Sequence, residues 1–227
     1  PVSAEPPAKT RRARGGGGSN AWALAGTRTA SGRPLLAGDP HLAPEIPGIW
    51  YAAHLTTADG VDVAGLTLAG LPGVAIGHNG DTAWTLAMHP ADDADLFLER
   101  LNAEGDAYEH EGTILPLRQR QERLAVKGSA EREIAVRSTL HGPIVSTYAT
   151  PLGERYAVAL SRSFTLEPGN LRAFLRAVRA RTPDEVARAW SLYHGPPVNV
   201  CWAARSGAIG VLVAGAVPAR RRGDGRL

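Results

Sequence analysis

The 227-residue chain has one cysteine, one methionine and three phenylalanines, and aromatic residues make up only 6% of it. With Cys201 alone, no intrachain disulfide can form, and cysteine usage points to neither an oxidising nor a reducing compartment. No apolar run approaches the ~18 residues that a membrane-spanning helix needs, so no span is expected. The first 14 residues, rich in proline and arginine, also lack the apolar core of a secretory signal. Neither sign of charge dominates: the net charge is +3, and much of it is local, at Arg11, Arg12 and Arg14 and again at Arg220, Arg221 and Arg222. These basic runs have no interleaved aromatics and form no helical stripe, so they read as solvated tails and not as a nucleic-acid surface. What remains, 44% hydrophobic and 21% charged, suffices for the core of one large domain or two small ones. No internal repeat is present.

The feature that stands out is the run Gly15-Gly16-Gly17-Gly18 leading directly into Ser19. Taken alone, the glycines read as a flexible linker. They also supply the side-chain-free backbone that would let the Gly18 carbonyl approach the Ser19 hydroxyl. A serine hydroxyl is a weak nucleophile without a base, and a free α-amine, with a pKa near ~7.7 to 8.0, is such a base once the serine becomes residue one.

After Ser19, residues 19–25 and 34–36 are short apolar segments around a turn at 26–32, which predicts a hairpin with Ser19 at a strand edge. Residues 50–55 and 61–68 read as strands, the second with period two, and two more flank Gly73 and Trp84. Residues 120–126 and 131–138 alternate as a solvent-facing hairpin does, and 156–161 is a further strand. Helices are predicted over 170–180 and 184–193, the second with Thr182 as N-cap and Pro183 at N1. Strands return at 198–203 and 208–214, joined by a turn at 205–207. Mixed strands with a late helical pair indicate α+β.

Several ordered blocks carry a resemblance: Ser19-Asn20-Ala21-Trp22, residues 27–42 ending in Gly38-Asp39-Pro40-His41-Leu42, and Leu71-Pro72-Gly73 through His78-Asn79. Ala83-Trp84, Asp92-Asp93-Ala94-Asp95-Leu96, His141-Gly142-Pro143, Pro196-Pro197-Val198-Asn199 and residues 207–220 follow in order. From Ser19 onward the chain resembles the penicillin acylase family of N-terminal nucleophile amidohydrolases, whose precursor cuts itself to expose a serine at the start of the β-chain. The resemblance implies a four-layer αββα sandwich. It also implies that residues 1–18 are the end of a spacer and 19–227 the opening part of a β-chain, with an α-chain preceding and more β-chain following. The expected location is the periplasm or the exterior.

Ser19 is then the nucleophile and its α-amine the base. Asn199 and the main-chain N–H of Met88 match the family's oxyanion donors, although a lone methionine otherwise reads as core packing. His41, 22 residues after Ser19, falls where cephalosporin and acyl-homoserine-lactone acylases carry histidine, and matches a group that orients the nucleophile. Arg220 matches an arginine that supports the oxyanion asparagine. The carboxylates of Asp92 and Asp95 and the Ala94 carbonyl match part of a structural calcium site, the alternative being an ordinary acidic turn. No organic cofactor is expected. The implied activity is hydrolysis of an N-acylated small molecule, such as a β-lactam antibiotic or an acyl-homoserine lactone, with an inactive remnant or binding module as the competing reading. Two departures from the family stand out: Trp202-Ala203-Ala204-Arg205 after the asparagine, and Val211 in place of a tyrosine.

Overall fold

The structure, a computed structural model, describes residues 18–149, 154–163 and 169–220. Of the expected spacer, residues 1–17 lie outside the described residues, and Gly18 already belongs to a strand. The chain opens with strands Gly18–Leu24 (β1), Leu35–His41 (β2), Trp50–Thr56 (β3), Asp62–Leu68 (β4), Ile76–His78 (β5) and Thr82–Met88 (β6). It continues through Ala94–Leu101 (β7), Ala107–His110 (β8), Thr113–Pro116 (β9), Arg118–Leu124 (β10), Arg132–Ser138 (β11), Ile144–Ala149 (β12) and Arg155–Arg162 (β13). Helices Gly169–Ala177 (α1) and Pro183–Trp190 (α2) precede strands Val198–Ala204 (β14) and Ile209–Ala214 (β15). The molecule is mostly β, with few helices. Its described residues fall into two units: one up to Pro90 together with 169–215, the other from Ala91 to 163 together with 216–220.

In the first unit six antiparallel strands run in the order β15-β14-β6-β5-β4-β3, and β1 and β2 form a separate hairpin. The period-two side-chain alternation sorts the two faces of the six-stranded sheet. Trp84, Val200, Val63 and Val74 pack with Phe174, Val186 and Trp190 from the helices in one apolar cluster. The Trp84 indole donates to the Ala75 carbonyl at 3.0 Å, which satisfies its one polar atom inside the core. Thr85, next along β6, faces the other way, against Gly38 of the hairpin. The unit is therefore layered as helices, sheet and hairpin.

Asn79, in the turn between β5 and β6, ties the helices to this sheet. Its side-chain amide donates to the carbonyls of Val178 and Ala180 at 3.1 and 2.8 Å, while its oxygen accepts from the Thr82 N–H at 2.9 Å. These bonds take carbonyls just past the last turn of α1, so that helix ends at Ala177, short of the expected 180. α2 starts as its sequence predicts: Thr182 and Glu185 form a reciprocal capping box, with Pro183 in the first turn. It ends at Trp190, three residues before the expected boundary at 193.

In the second unit a sheet of order β12-β13-β7-β8-β9 stands beside the β10-β11 hairpin. Glu99 of β7 is buried, at 4% exposure, and accepts from Thr139 Oγ1 at 2.9 Å and from His141 Nδ1 at 2.7 Å. The imidazole of His141 stacks on Phe97 with ring centres 3.8 Å apart. A carboxylate so enclosed is tolerated because both neighbours donate to it. The outward residues Leu96 and Leu98 are each 59% exposed, so β7 departs at Leu96, Leu98 and Glu99 from the usual pattern of polar residues outside and apolar ones inside.

Candidate active site

Ser19, Met88 and Asn199 line one open cleft of about 770 Å³ in the first unit, together with Trp22, Asp39 and Val211. Three elements bring them there. β1 supplies Ser19, half-buried, in a strand whose Ser19, Ala21 and Ala23 turn inward while Gly18, Asn20, Trp22 and Leu24 face outward. β14 and β6 are neighbours in the sheet, with Asn199 opposite Ala87 and Val198 opposite Met88. The hairpin can lie this close because residue 38 is glycine: a Cβ there would fall 2.0 Å from Thr85 Oγ1 and 2.8 Å from Thr85 Cβ.

Ser19 Oγ donates to the Gly18 carbonyl oxygen at 2.7 Å, so the hydroxyl already lies against the peptide group that self-cleavage would attack. Asn199 Nδ2 donates to the Met88 carbonyl at 3.4 Å, a long contact that leaves the amide available to a better acceptor. The His89 N–H donates across to Pro197 O at 3.0 Å. In an antiparallel ladder alternate residues bond to alternate sides, so the Met88 N–H faces away from β14. β5 runs antiparallel to β6 and its pairing reaches no further towards Met88 than Gly77 opposite Trp84, which leaves that N–H outside the ladder. The Met88 side chain is 64% exposed, so the core-packing reading of this methionine is not what the structure shows. Cys201 lies two residues from Asn199 on the same strand; burial pushes its thiol up, so it stays protonated and is a poor rival nucleophile.

His41 is placed differently. It stands opposite Gly18 in the hairpin, as Asp39 stands opposite Asn20, on the side away from the Ser19 side chain. Its Nε2 contacts Asp39 Oδ2 at 2.9 Å, and no bond to Ser19 Oγ is formed. The His41 hydrogen bond, helped by the Asn20 side-chain amide and main-chain N–H, holds the Asp39 carboxyl below its ordinary value. Asp39, Asn20 and Gly38 were quoted in the sequence blocks without a role. Register opposite the Gly18-Ser19 step was the signal that would have found them.

Arg220 and the acidic cluster lie in the second unit and meet there. Arg220 Nε and Nη2 bond the Asp95 carboxylate at 3.0 to 3.2 Å, and Nη2 reaches Asp92 Oδ2 at 3.0 Å. Ala94 is the first residue of β7, opposite Arg162. No group of three or more His, Cys, Asp or Glu side chains suited to a metal ion occurs among the described residues. As arranged, the guanidinium supplies the positive charge that Asp92 and Asp95 face, and a calcium ion would have to displace it. Chelation with EDTA tests this in the full-length protein: a fall in melting temperature would show a calcium ion held by this cluster, and no change would leave Arg220 as its counter-charge. A rise in melting temperature with added calcium would show instead that the arginine gives way.

No helix among the described residues is long and apolar enough to cross a membrane. The Penicillin amidase family profile matches residues 2–227. The penicillin acylase 2 proenzyme of Pseudomonas sp. strain SE83 is 37% identical over 216 residues, covering 93% of this chain and 27% of its own. An acyl-homoserine lactone acylase QuiP of Pseudomonas aeruginosa is 34% identical, covering 92% and 26%. Among solved structures, a thermostable penicillin G acylase from Alcaligenes faecalis superposes with a TM-score of 0.76 at 29% identity, covering 86% of this chain and 35% of that one. The chain spans 26–27% of the length of these curated relatives. The profile runs from the residues before the glycine stretch through both units, and on that footing this chain belongs to the penicillin amidase family.

Proposed function

We propose that this chain forms part of an acylase that hydrolyses the amide of an N-acylated small molecule, with Ser19 as an N-terminal nucleophile released by self-cleavage after Gly18. The observation that carries this reading is the shared cleft of Ser19, Met88 and Asn199. After cleavage the Ser19 α-amine takes the hydroxyl proton through a water, and Oγ attacks the substrate's acyl carbon. The Asn199 amide and the Met88 N–H receive the tetrahedral oxyanion. The amine product leaves with a proton, and water then hydrolyses the acyl-serine ester.

A cleft of about 770 Å³ is of small-molecule size, and Trp22, Ala87 and Val211 give it an apolar wall suited to an acyl group. The relatives' names, penicillin acylase and acyl-homoserine lactone acylase, support that substrate class, and the word proenzyme in one of them supports a precursor cut into chains. The layers of helices, sheet and hairpin would form part of an αββα sandwich, completed by an α-chain from the same precursor. No step uses a metal.

The test is release of primary amine by the full-length protein from phenylacetyl, long-chain and dicarboxylic N-acyl substrates, with mass detection of acyl-Ser19 in a single turnover. Asn199→Ala should lower kcat by ~10²- to 10³-fold with the adduct still on Ser19. No turnover by a correctly cut protein would favour a non-catalytic fold, and an adduct elsewhere would remove Ser19 as the nucleophile.

A further inference from the structure

At the rim of the same cleft, through Asn20 and Asp39, the hairpin carries a second polar constellation that the hydrolytic reading leaves unused. Gly18 stands opposite His41 and Asn20 opposite Asp39. The register therefore sets an imidazole and a carboxylate on the outward side of the Gly18-Ser19 step, while the Ser19 side chain is half-buried on the inward side. An ionised carboxylate can only accept, so the 2.9 Å contact to Asp39 Oδ2 fixes the proton on His41 Nε2. The other ring nitrogen, Nδ1, is then directed at Gly18: it lies 3.5 Å from where a side chain on that residue would begin. Asn20, on the facing strand, steadies the carboxylate, its side chain hydrogen-bonding Asp39.

We infer that Asp39 is a positioning residue for the self-cleavage step, holding His41 so that Nδ1 can protonate the departing Ser19 nitrogen. This rests on the reading of Gly18-Ser19 as the processing site. Ser19 Oγ adds to the Gly18 carbonyl carbon and its proton passes to solvent water. The tetrahedral intermediate then breaks its C–N bond, and the Ser19 nitrogen leaves with a proton from the His41 imidazolium. The products are a free α-amine on Ser19 and an ester between Gly18 and Ser19 Oγ. Water hydrolyses the ester to the Gly18 carboxylate, and His41 is protonated again from solvent. The two faces of the strand thus divide the work, with the nucleophile inward and the acid outward.

The charged groups around His41 are few. Asp39 is its ion-pair partner among the described residues, Asn20 on the facing strand is neutral, and Thr85 and Cys201, on the strands packed against the hairpin, carry no charge. Because the acid is an imidazolium, cleavage slows as pH rises and His41 loses its proton. Removing the Asp39 carboxylate disfavours the imidazolium and moves that fall to lower pH.

The test measures the rate of Gly18-Ser19 cleavage against pH in the full-length precursor, by intact mass, for wild type, Asp39→Asn, Asp39→Glu and His41→Gln, with Ser19→Ala as the uncut reference. Asp39→Asn is expected to cut about 10-fold more slowly near neutral pH, part of the ~10²- to 10⁴-fold typical of a positioned acid, with the fall displaced to lower pH. Asp39→Glu should restore the fall towards its wild-type position, and His41→Gln should abolish it. A wild type that cuts, with an Asp39→Asn variant of unchanged rate and pH profile, overturns the inference and leaves the processing site standing. A slower Asp39→Asn variant with an unmoved profile also overturns it, since that is a merely structural effect. A wild type that never cuts removes the processing reading and the inference together. Asp39 is exposed, so its substitution leaves the core untouched.

Discussion

Replacing Ser19 by alanine is expected to leave the full-length chain uncut after Gly18 and to abolish amide hydrolysis, the largest effect any single substitution should produce. The hydroxyl sits 2.7 Å from the Gly18 carbonyl oxygen, and β1 offers no second nucleophile on its inward side, where the residues that follow are Ala21 and Ala23. Alanine fits the same half-buried strand position, so the fold should be kept while the reacting atom is lost. Without cleavage the α-amine never forms, so the base is lost along with the nucleophile. Removing a nucleophile of this kind costs on the order of 10⁶-fold in turnover. Intact mass and N-terminal sequencing decide the matter: a new chain starting at Ser19 in wild type and a single uncut chain in the variant. A variant cut at the same bond would show that another protease processes it. Ser19→Cys is the useful companion, since a thiol keeps a nucleophile at the position and should restore some cleavage.

The second large effect is expected from Gly38→Ala, one methyl group placed away from the reacting bond. The new Cβ would fall 2.0 Å from Thr85 Oγ1 and 2.8 Å from both Thr85 Cβ and Cγ2, and Thr85 is buried, so it has nowhere to go. Either Thr85 is driven into the sheet or the hairpin lifts off β6. Overpacking of this kind costs roughly 1 to 3 kcal/mol of stability. The loss of function should be larger than that figure suggests, because the hairpin carries Ser19 while β6 and β14 carry Met88 and Asn199, the proposed oxyanion donors, and a misplacement of ~1 Å is worth ~10²-fold in rate. Urea unfolding of the full-length protein and the rate of Gly18-Ser19 cleavage should therefore both fall in Gly38→Ala. Adding Thr85→Gly, which removes the three atoms in the way, should recover part of both. If Gly38→Ala cleaves and unfolds like wild type, the hairpin does not depend on this contact for its seating.

Much of this was readable from the chain where the signal is local. The Ser19 hairpin, the Thr182 cap and the β14-β15 hairpin follow from turn residues and alternation, and all appear within a few residues of their expected bounds. β7 was legible only as an acidic motif, because its alternation departs from the usual one: Glu99 faces inward and Leu96 and Leu98 outward. What permits that is a pair of donors 40 and 42 residues further on, at Thr139 and His141, and no window of sequence around Glu99 contains them. β8 and β9, four residues each, are too short to display a period. Of the site, Ser19, Met88 and Asn199 came from the family resemblance and meet in one cleft, whereas Arg220 and the acidic cluster meet each other. The role of Gly38 is a matter of distance between two sheets, and distance of that sort is written in no motif.

The pairing of Gly18 with His41 has one more consequence. Among the described residues it is the outermost rung of the hairpin, and the next rung sets Ser19 against Pro40, which has no N–H to offer. If the proposed cut is made, Gly18 is free to depart and its rung is lost, while six rungs from Ser19 to Leu24 still hold the strand. The carboxylate and the amine that would have to recombine are then no longer held side by side. On the proposed self-cleavage such a device would work as a ratchet: the framework that sets up the cut would be dismantled by it, and the chain would have no way back to the precursor.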